Sequence, residues 1–139
     1  MSTPFRKVLL VDDDPTTNFL NRIVLEDLRV ADQVVEKDNG LTALEYVKRN
    51  CINDNASREG CPDLILLDIN MPVMSGPEFL AELTKIEQAD KIFTKVVVLS
   101  SSSLLKDQNL IGNYQVVDFI QKPLTEEKVD FIIKKVASQ

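Results

Sequence analysis

Residues 64–68 read Leu-Ile-Leu-Leu-Asp, a short apolar run that ends at a carboxylate. Three other mostly apolar runs end in the same way at polar side chains: 8–11 (VLLV) before Asp12, 96–99 (VVVL) before Ser100, and 116–120 (VVDFI) before Gln121 and Lys122. Continuous apolar runs of this length are typical of strands buried on both faces of a parallel sheet. Ligands of open α/β sheets bind beyond the carboxyl ends of the strands. The four run ends therefore predict one polar site.

Segments with helical periodicity lie between and after these runs. Apolar residues recur at i, i+3 and i+4 in four segments: 20–28, 41–47, 79–86 and 129–136. A weaker helix is predicted over 104–110, and Val34-Val35 fits a short second strand. Alternating strands and helices joined by right-handed crossovers predict an α/β fold, a doubly wound five-stranded parallel sheet with helices on both faces.

Length and composition set limits on the function. At 139 residues the chain is expected to form a single domain, residues 1–139, with no attached module. The 16 basic and 22 acidic residues give a net charge of −6, which argues against direct nucleic-acid binding and against a membrane surface as partner. The apolar runs are too short for a membrane span or a signal peptide, so a cytoplasmic location is expected.

The cysteine and histidine content restricts metal chemistry. The chain has no histidine and only two cysteines, Cys51 and Cys61, which excludes the usual structural zinc sites. The cysteines lie near the two ends of a polar stretch, 50–62, that is either an interaction loop or a tolerated surface insertion. A disulfide between them is conceivable, but reduced thiols are expected in a cytosolic protein.

Three carboxylates, Asp12, Asp13 and Asp68, are predicted to meet at one edge of the sheet, where they would repel one another unless a cation lay between them. Mg²⁺ binds one or two carboxylates and keeps water and phosphate oxygens as its other ligands. A carboxylate beside such an ion can attack a phosphoryl group and form an aspartyl phosphate. Lys122 offers a positive charge to a phosphoryl oxygen, and Ser100 offers a hydroxyl donor. These residues together predict phosphoryl transfer with Mg²⁺ as the cofactor.

Four segments carry a family resemblance: 7–15 (KVLLVDDDP), 64–76 (LILLDINMPVMSG), 96–101 (VVVLSS) and 119–124 (FIQKPL). In this order and spacing they resemble the response-regulator receiver domain of two-component signalling, in particular its stand-alone, chemotaxis-regulator-like members. The resemblance extends from Arg6 to about Val136. It implies a flavodoxin-like sheet with strand order 2-1-3-4-5.

The resemblance also implies roles for the acidic residues. Asp68 corresponds to the phosphoacceptor. Asp12 and Asp13 correspond to the acidic pair that holds Mg²⁺ together with Asp68 and the backbone carbonyl of Asn70. Because Asp14 makes three consecutive acids, the choice of Asp12-Asp13 over Asp13-Asp14 depends on the family alignment.

The remaining roles concern the phosphoryl group and a conformational switch. Ser100 corresponds to the family's hydroxyl position and Lys122 to its invariant lysine. The Lys122-Pro123 peptide bond resembles one that is cis in the family. Phe119 corresponds to the switch aromatic, which would turn inward when Ser100 moves toward the phosphoryl group. The alternative for Phe119 is an ordinary core aromatic.

The resemblance implies a signalling protein, with self-catalysed phosphotransfer and dephosphorylation as its only chemistry. Without a histidine, the chain needs a separate donor, a sensor histidine kinase or a histidine phosphotransfer protein. An unknown downstream protein would bind the phosphorylated form, and a monomer or weak dimer is expected. Two alternatives stay open: a haloacid-dehalogenase-like phosphatase with Asp12 as nucleophile, suggested by the DxDxT pattern of Asp12–Thr16, and a degenerate receiver that acts only by binding.

Overall fold

Strands and helices alternate along the whole described chain. The computed structural model describes residues 3–51, 60–69, 71, 73–90, 94–100, 104–112 and 114–138, except for the side chains of residues 88–90, 104, 105 and 107. In chain order the elements are β1 Phe5–Val11, α1 Pro15–Asp27, β2 Ala31–Lys37, α2 Gly40–Cys51, β3 Leu64–Asp68, α3 Gly76–Asp90, β4 Lys95–Ser100, α4 Leu104–Ile111, β5 Asp118–Gln121 and α5 Glu126–Ala137.

The five strands form one parallel sheet in the order β2-β1-β3-β4-β5. This confirms the predicted fold class and strand order. Val11 pairs with Leu67 at the ends of β1 and β3, and Ser100 pairs with Gln121 at the ends of β4 and β5. The register therefore brings the polar residues that follow each apolar run to one edge of the sheet.

Both faces of the sheet are covered, which explains why the strand runs are apolar without alternation. On one face, Leu9 and Leu67 pack in a core that α2, α3 and α4 complete. On the other, Leu10 and Leu66 pack in a core that α1 and α5 complete. Burying a side chain of this size is worth about 1.5–3 kcal/mol, so these runs dominate the stability of the sheet.

Two strands differ from their predicted extent. β2 spans seven residues rather than the two that were predicted. The apolar pattern indicated only part of the strand, because Asp32 and Gln33 are polar and exposed at the edge of the sheet. β5 begins at Asp118 rather than at Val116. The backbone N–H of Val117 donates to the carbonyl of Val96 at 2.7 Å, so the chain approaches β4 before the strand begins.

Cys51 and Cys61 form a disulfide, and the prediction of reduced thiols is therefore wrong for this structure. α2 ends at Cys51 close to the start of β3, so two residues ten positions apart lie with their Cα atoms 4.7 Å from each other. The bond lies at the edge of the sheet opposite the predicted site. Residues 52–59, the middle of the polar stretch considered as an interaction loop, lie outside the described residues. Among the described helices none is both long and apolar enough to cross a membrane.

Candidate functional site

Three carboxylates meet at the carboxyl edge of the sheet. One oxygen from each of Asp12, Asp13 and Asp68 lies within 4.8 Å of the other two. Asp12 and Asp68 are 3% and 6% exposed, whereas Asp13 is exposed. The cluster follows from the register, because β1 and β3 are neighbours and end side by side. Concentrated negative charge of this kind, partly removed from water, requires positive charge nearby.

Both carboxylate oxygens and the backbone carbonyl of Asp12 accept hydrogen bonds. Its Oδ1 accepts a hydrogen bond from the backbone N–H of Asp14 at 2.9 Å, and its Oδ2 accepts one from Lys122 Nζ at 2.7 Å. Its backbone carbonyl accepts from Asn18 Nδ2 at 3.0 Å. Asn18 was not predicted from the sequence. It is buried on the inward face of α1, and the apolar pattern of residues 20–28 does not indicate that face, because Leu20 and Ile23 are exposed.

Asp14 has a different task from its two neighbours, because it is the N-cap of α1. Its carboxylate accepts from the hydroxyl of Thr17 at 2.9 Å and from the backbone N–H of Thr16 at 3.0 Å. These hydrogen bonds, the first being the stronger influence, hold the pKa of Asp14 below its usual value. Asp12 and Asp13 are therefore the two acids of the run that join the cluster. Asp14 is the second Asp of the DxDxT pattern, and capping engages it in the helix rather than in the cluster.

Lys122 supplies the positive charge. Its Nζ lies 2.7 Å from Asp12 Oδ2 and 3.5 Å from Asp68 Oδ1, and its backbone N–H donates to the carbonyl of Ser100 at 2.6 Å. Burial alone would lower the pKa of Lys122, but the hydrogen bond to Asp12 and the charges of Asp68 and Asp12 outweigh it and raise the pKa above 10.5. The Lys122-Pro123 peptide bond is cis.

The turn after Asp68 depends on a glycine. A Cβ on Gly76 would lie 2.8 Å from the Cα of Ile69 and 3.2 Å from the carbonyl oxygen of Asp68. The N–H of Gly76 donates to the carbonyl of Ile69 at 2.9 Å, so α3 begins directly against the end of β3. Only glycine allows this approach. Asn70, whose carbonyl is the fourth predicted metal ligand, lies outside the described residues.

Ser100 and Phe119 lie on adjacent strands near the cluster. Ser100 is the last residue of β4 and is buried, and Phe119 is half-buried in β5 and packs against the core formed with α2, α3 and α4. Phe119 also lines a cavity of about 510 Å³, together with Val96, Tyr114 and Val116 among others. The ring therefore has space on one side.

The donor set fits a hard dication. Three carboxylates carry three negative charges, and the ion pairs of Lys122 balance one of them. Divalent ions such as Mg²⁺ select oxygen ligands of this kind, and no soft ligand is present in the cluster. The site can thus hold a cation and a phosphoryl group beside a buried carboxylate.

Replacing Asp12 with Asn is expected to lower the pKa of Lys122. A raised pKa in the folded protein means that charged Lys122 stabilises the fold at every pH below 10.5, and that this contribution is lost as the pH rises through the folded value. Asp12→Asn removes a hydrogen-bonded charge and so lowers the folded pKa of Lys122. The stability that is lost above pH 10.5 should therefore be smaller in the variant, and the loss should be complete at a lower pH. The measurement is an alkaline NMR titration of labelled lysine side chains, with urea unfolding at each pH, in metal-free buffer.

Asp13→Asn is the matched control for Asp12→Asn. It also removes one carboxylate of the cluster, but Asp13 forms no ion pair with Lys122 among the described residues. Equal pKa changes in the two variants would contradict the assignment of Asp12 as the main partner of Lys122.

Comparisons with known proteins agree with this geometry. A family model, "Response regulator receiver domain", matches residues 8–134. The chain is 32% identical over 135 residues to "Two-component response regulator ORR41" of Oryza sativa subsp. japonica, with 97% of each chain covered. It spans about half the length of three further bacterial relatives.

Solved structures give the same result. A two component response regulator from Cytophaga hutchinsonii superposes with a TM-score of 0.81 at 27% identity, covering 97% of this chain and 98% of that one. The receiver domain of the histidine kinase CKI1 from Arabidopsis thaliana superposes with a TM-score of 0.83 at 23% identity, covering 96% and 91%. The chain therefore belongs to the receiver-domain family of two-component response regulators.

Proposed function

We propose that residues 1–139 form one receiver domain of a response regulator, which accepts a phosphoryl group on Asp68 from a histidine kinase or a histidine phosphotransfer protein. One observation carries the proposal: Asp68 is a buried carboxylate with an ammonium 3.5 Å away and the oxygens of two further carboxylates within 4.8 Å. Nucleophile, counter-charge and cation ligands thus lie together.

The proposed reaction forms one bond and breaks one. An oxygen of Asp68 attacks the phosphorus of a phosphohistidine on the donor protein, the P–N bond breaks, and the imidazole nitrogen leaves with the electron pair. Lys122 and the Ser100 hydroxyl then bind phosphoryl oxygens. Transfer of this type needs positioning and charge neutralisation and little other chemistry.

Mg²⁺ is the proposed cofactor. Asp12, Asp13 and Asp68, with the backbone carbonyl of Asn70, are the residues that would hold it. When bound, the ion would neutralise charge on the carboxylates and on the incoming phosphoryl oxygens. The CKI1 receiver domain, which shares the fold, was crystallised with Mg²⁺ and BeF₃⁻. That likeness and the donor set support the proposal.

Asp68→Asn is expected to abolish labelling by acetyl phosphate, because the amide cannot form the acyl phosphate. The wild-type chain should gain one phosphoryl group, in a reaction that requires Mg²⁺, and the measurement is intact-protein mass spectrometry with mapping of the modified residue. Asp63→Asn is the control. Asp63 binds Arg6 at the opposite edge of the sheet and should have no effect.

Other labelling results would select the alternatives. A phosphoryl group on Asp12 instead of Asp68 would support the phosphatase-like interpretation. No labelling of the wild-type chain, with partner binding unchanged in Asp68→Asn, would support a degenerate receiver that acts by binding alone.

The donor is proposed to dock on an exposed apolar face of α1. Phe19, Leu20 and Ile23 are exposed there, and Leu20 lines a cavity of about 260 Å³ that also contacts Lys122 and Pro123. This face is therefore continuous with the site, and a protein that brings a phosphohistidine to Asp68 can cover it.

Leu20→Gln is expected to slow transfer from a phosphorylated histidine phosphotransfer protein that labels the wild-type chain, and to leave labelling by acetyl phosphate unchanged. Losing an apolar anchor of an interface costs about 1 kcal/mol or more, roughly a fivefold loss of affinity. Leu110→Gln is the matched control, because Leu110 is similarly exposed, 48% against 54%, but lies on α4 across the sheet. If Leu20→Gln slowed labelling by the phosphotransfer protein and by acetyl phosphate equally, the proposed docking face would be contradicted.

Ser100 and Phe119 are proposed to transmit phosphorylation to the surface. Ser100 would move toward the phosphoryl group, and the ring of Phe119 would change position beside the cavity that it lines. Phosphorylation would then change the surface around β5 and α4 that a downstream protein recognises.

Mg²⁺ with beryllofluoride is expected to shift the backbone amide resonances of Phe119 and Tyr114 as well as those of the site. Ser100→Ala should reduce the shifts at Phe119, because the hydroxyl that links the two is lost. The measurement is a two-dimensional NMR titration. Changes confined to the residues of the site would favour Phe119 as an ordinary core aromatic.

A further inference from the structure

One lysine outside the site contacts the backbone on both sides of Lys122. Lys128, in the first turn of α5, donates from its Nζ to the carbonyl of Gln121 at 2.7 Å and to the carbonyl of Pro123 at 3.0 Å. Gln121 and Pro123 are the immediate neighbours of Lys122 in the chain. A single ammonium thus binds the residue before and the residue after the lysine that pairs with Asp68.

The stability of α5 does not explain why a lysine occupies position 128. A cation in the first turn is unfavourable, because the N-terminus of a helix carries partial positive charge. α5 already has its N-cap in Thr125, and Glu126 and Glu127 occupy the same turn with the charge that a helix start prefers. Residues that break a local rule are expected where function compensates for the loss. The contacts of Lys128 outside the helix therefore account for a lysine in this turn.

Together with one backbone hydrogen bond, these contacts fix the backbone around Lys122. The backbone N–H of Lys122 is bound by the carbonyl of Ser100 at 2.6 Å, on the strand side. Lys128 binds the two neighbouring carbonyls from the helix side. With both sides held, the backbone of Lys122 has a fixed place from which its side chain reaches Asp12 and Asp68.

We propose that Lys128 is a positioning residue for phosphoryl transfer at Asp68, acting through the loop that carries Lys122. This inference depends on the proposed function. Lys128 does not touch the reacting atoms. Its contacts hold the loop between β5 and α5, and so they set how closely the ammonium of Lys122 approaches the phosphoryl oxygens. Displacements of about 1 Å can cost a factor of 10² in rate, so a loosened loop has a measurable effect.

The test is Lys128→Met, which keeps an unbranched apolar side chain of nearly the same length and removes the ammonium. We expect the maximal rate of phosphorylation by acetyl phosphate with Mg²⁺ to fall by about three- to tenfold, with little change in the apparent KM. Lys134→Met is the matched control on the same helix. Lys134 pairs with Asp130 on the surface at 2.9 Å, and its loss should leave the rate unchanged.

A double-mutant cycle separates positioning from a general structural effect. In a Lys122→Ala background, Lys128→Met should have no further effect on the rate, because no ammonium remains to be positioned. Lys128→Arg, which retains donors for both carbonyls, should recover part of the rate. A rate loss of the same size with and without Lys122, or equal rates in Lys128→Met and Lys134→Met, would overturn the proposal.

Failure of the inference and failure of the proposed function give different results. An unlabelled wild-type chain would contradict the function. In that case the NMR chemical shifts of Lys122 still test the contact: Lys128→Met should change the backbone and side-chain shifts of Lys122, and Lys134→Met should not. Unchanged Lys122 signals in Lys128→Met would overturn the positioning role whatever the outcome of labelling.

Discussion

The ion pair between Lys122 and Asp12 is the interaction on which the site depends. Two nearly buried carboxylates and a third exposed one lie at one edge of the sheet, and the ammonium of Lys122 contacts both buried ones. Burial penalises the charges of Asp12, Asp68 and Lys122, so removing one partner of such a pair is far more costly than the net worth of the pair suggests. Asp14 and Asn18 donate hydrogen bonds to Asp12 and so hold in place the carboxylate that Lys122 contacts.

The parallel sheet makes this concentration of charge possible. Parallel strands must be covered on both faces, so their side chains are committed to two cores and only the strand ends are free to carry polar groups. Because β1, β3, β4 and β5 are consecutive neighbours, their four ends contribute Asp12, Asp68, Ser100 and Lys122 to one place. The cores provide the stability that compensates for the unfavourable edge.

Much of this arrangement could be predicted from the sequence, because strand ends are a local signal. The runs ending at Asp68 and Ser100 predicted both the fold and the convergence of their side chains. The disulfide of Cys51 and Cys61 and the carbonyl contacts of Lys128 could not be predicted, since each depends on how closely two separate segments of the chain approach each other. Exposed Val73 belongs with them. Its φ of +69° is strained for a β-branched residue, and no sequence pattern indicates it.

The geometry also accounts for a difference between the two buried acids. Both oxygens of Asp12 are engaged at 2.7 and 2.9 Å, whereas the ammonium of Lys122 lies 3.5 Å from Asp68. Lys122 is thus bound more closely to Asp12 than to the proposed acceptor. A phosphoryl group on Asp68 would bring about −1.5 to −2 charge, enough to compete with a single carboxylate for the same ammonium. The lysine could then change partner by moving its side chain alone, because Ser100 and Lys128 keep its backbone in place. A fixed backbone with a transferable ammonium suits the proposed function, in which the site would both accept and lose a phosphoryl group.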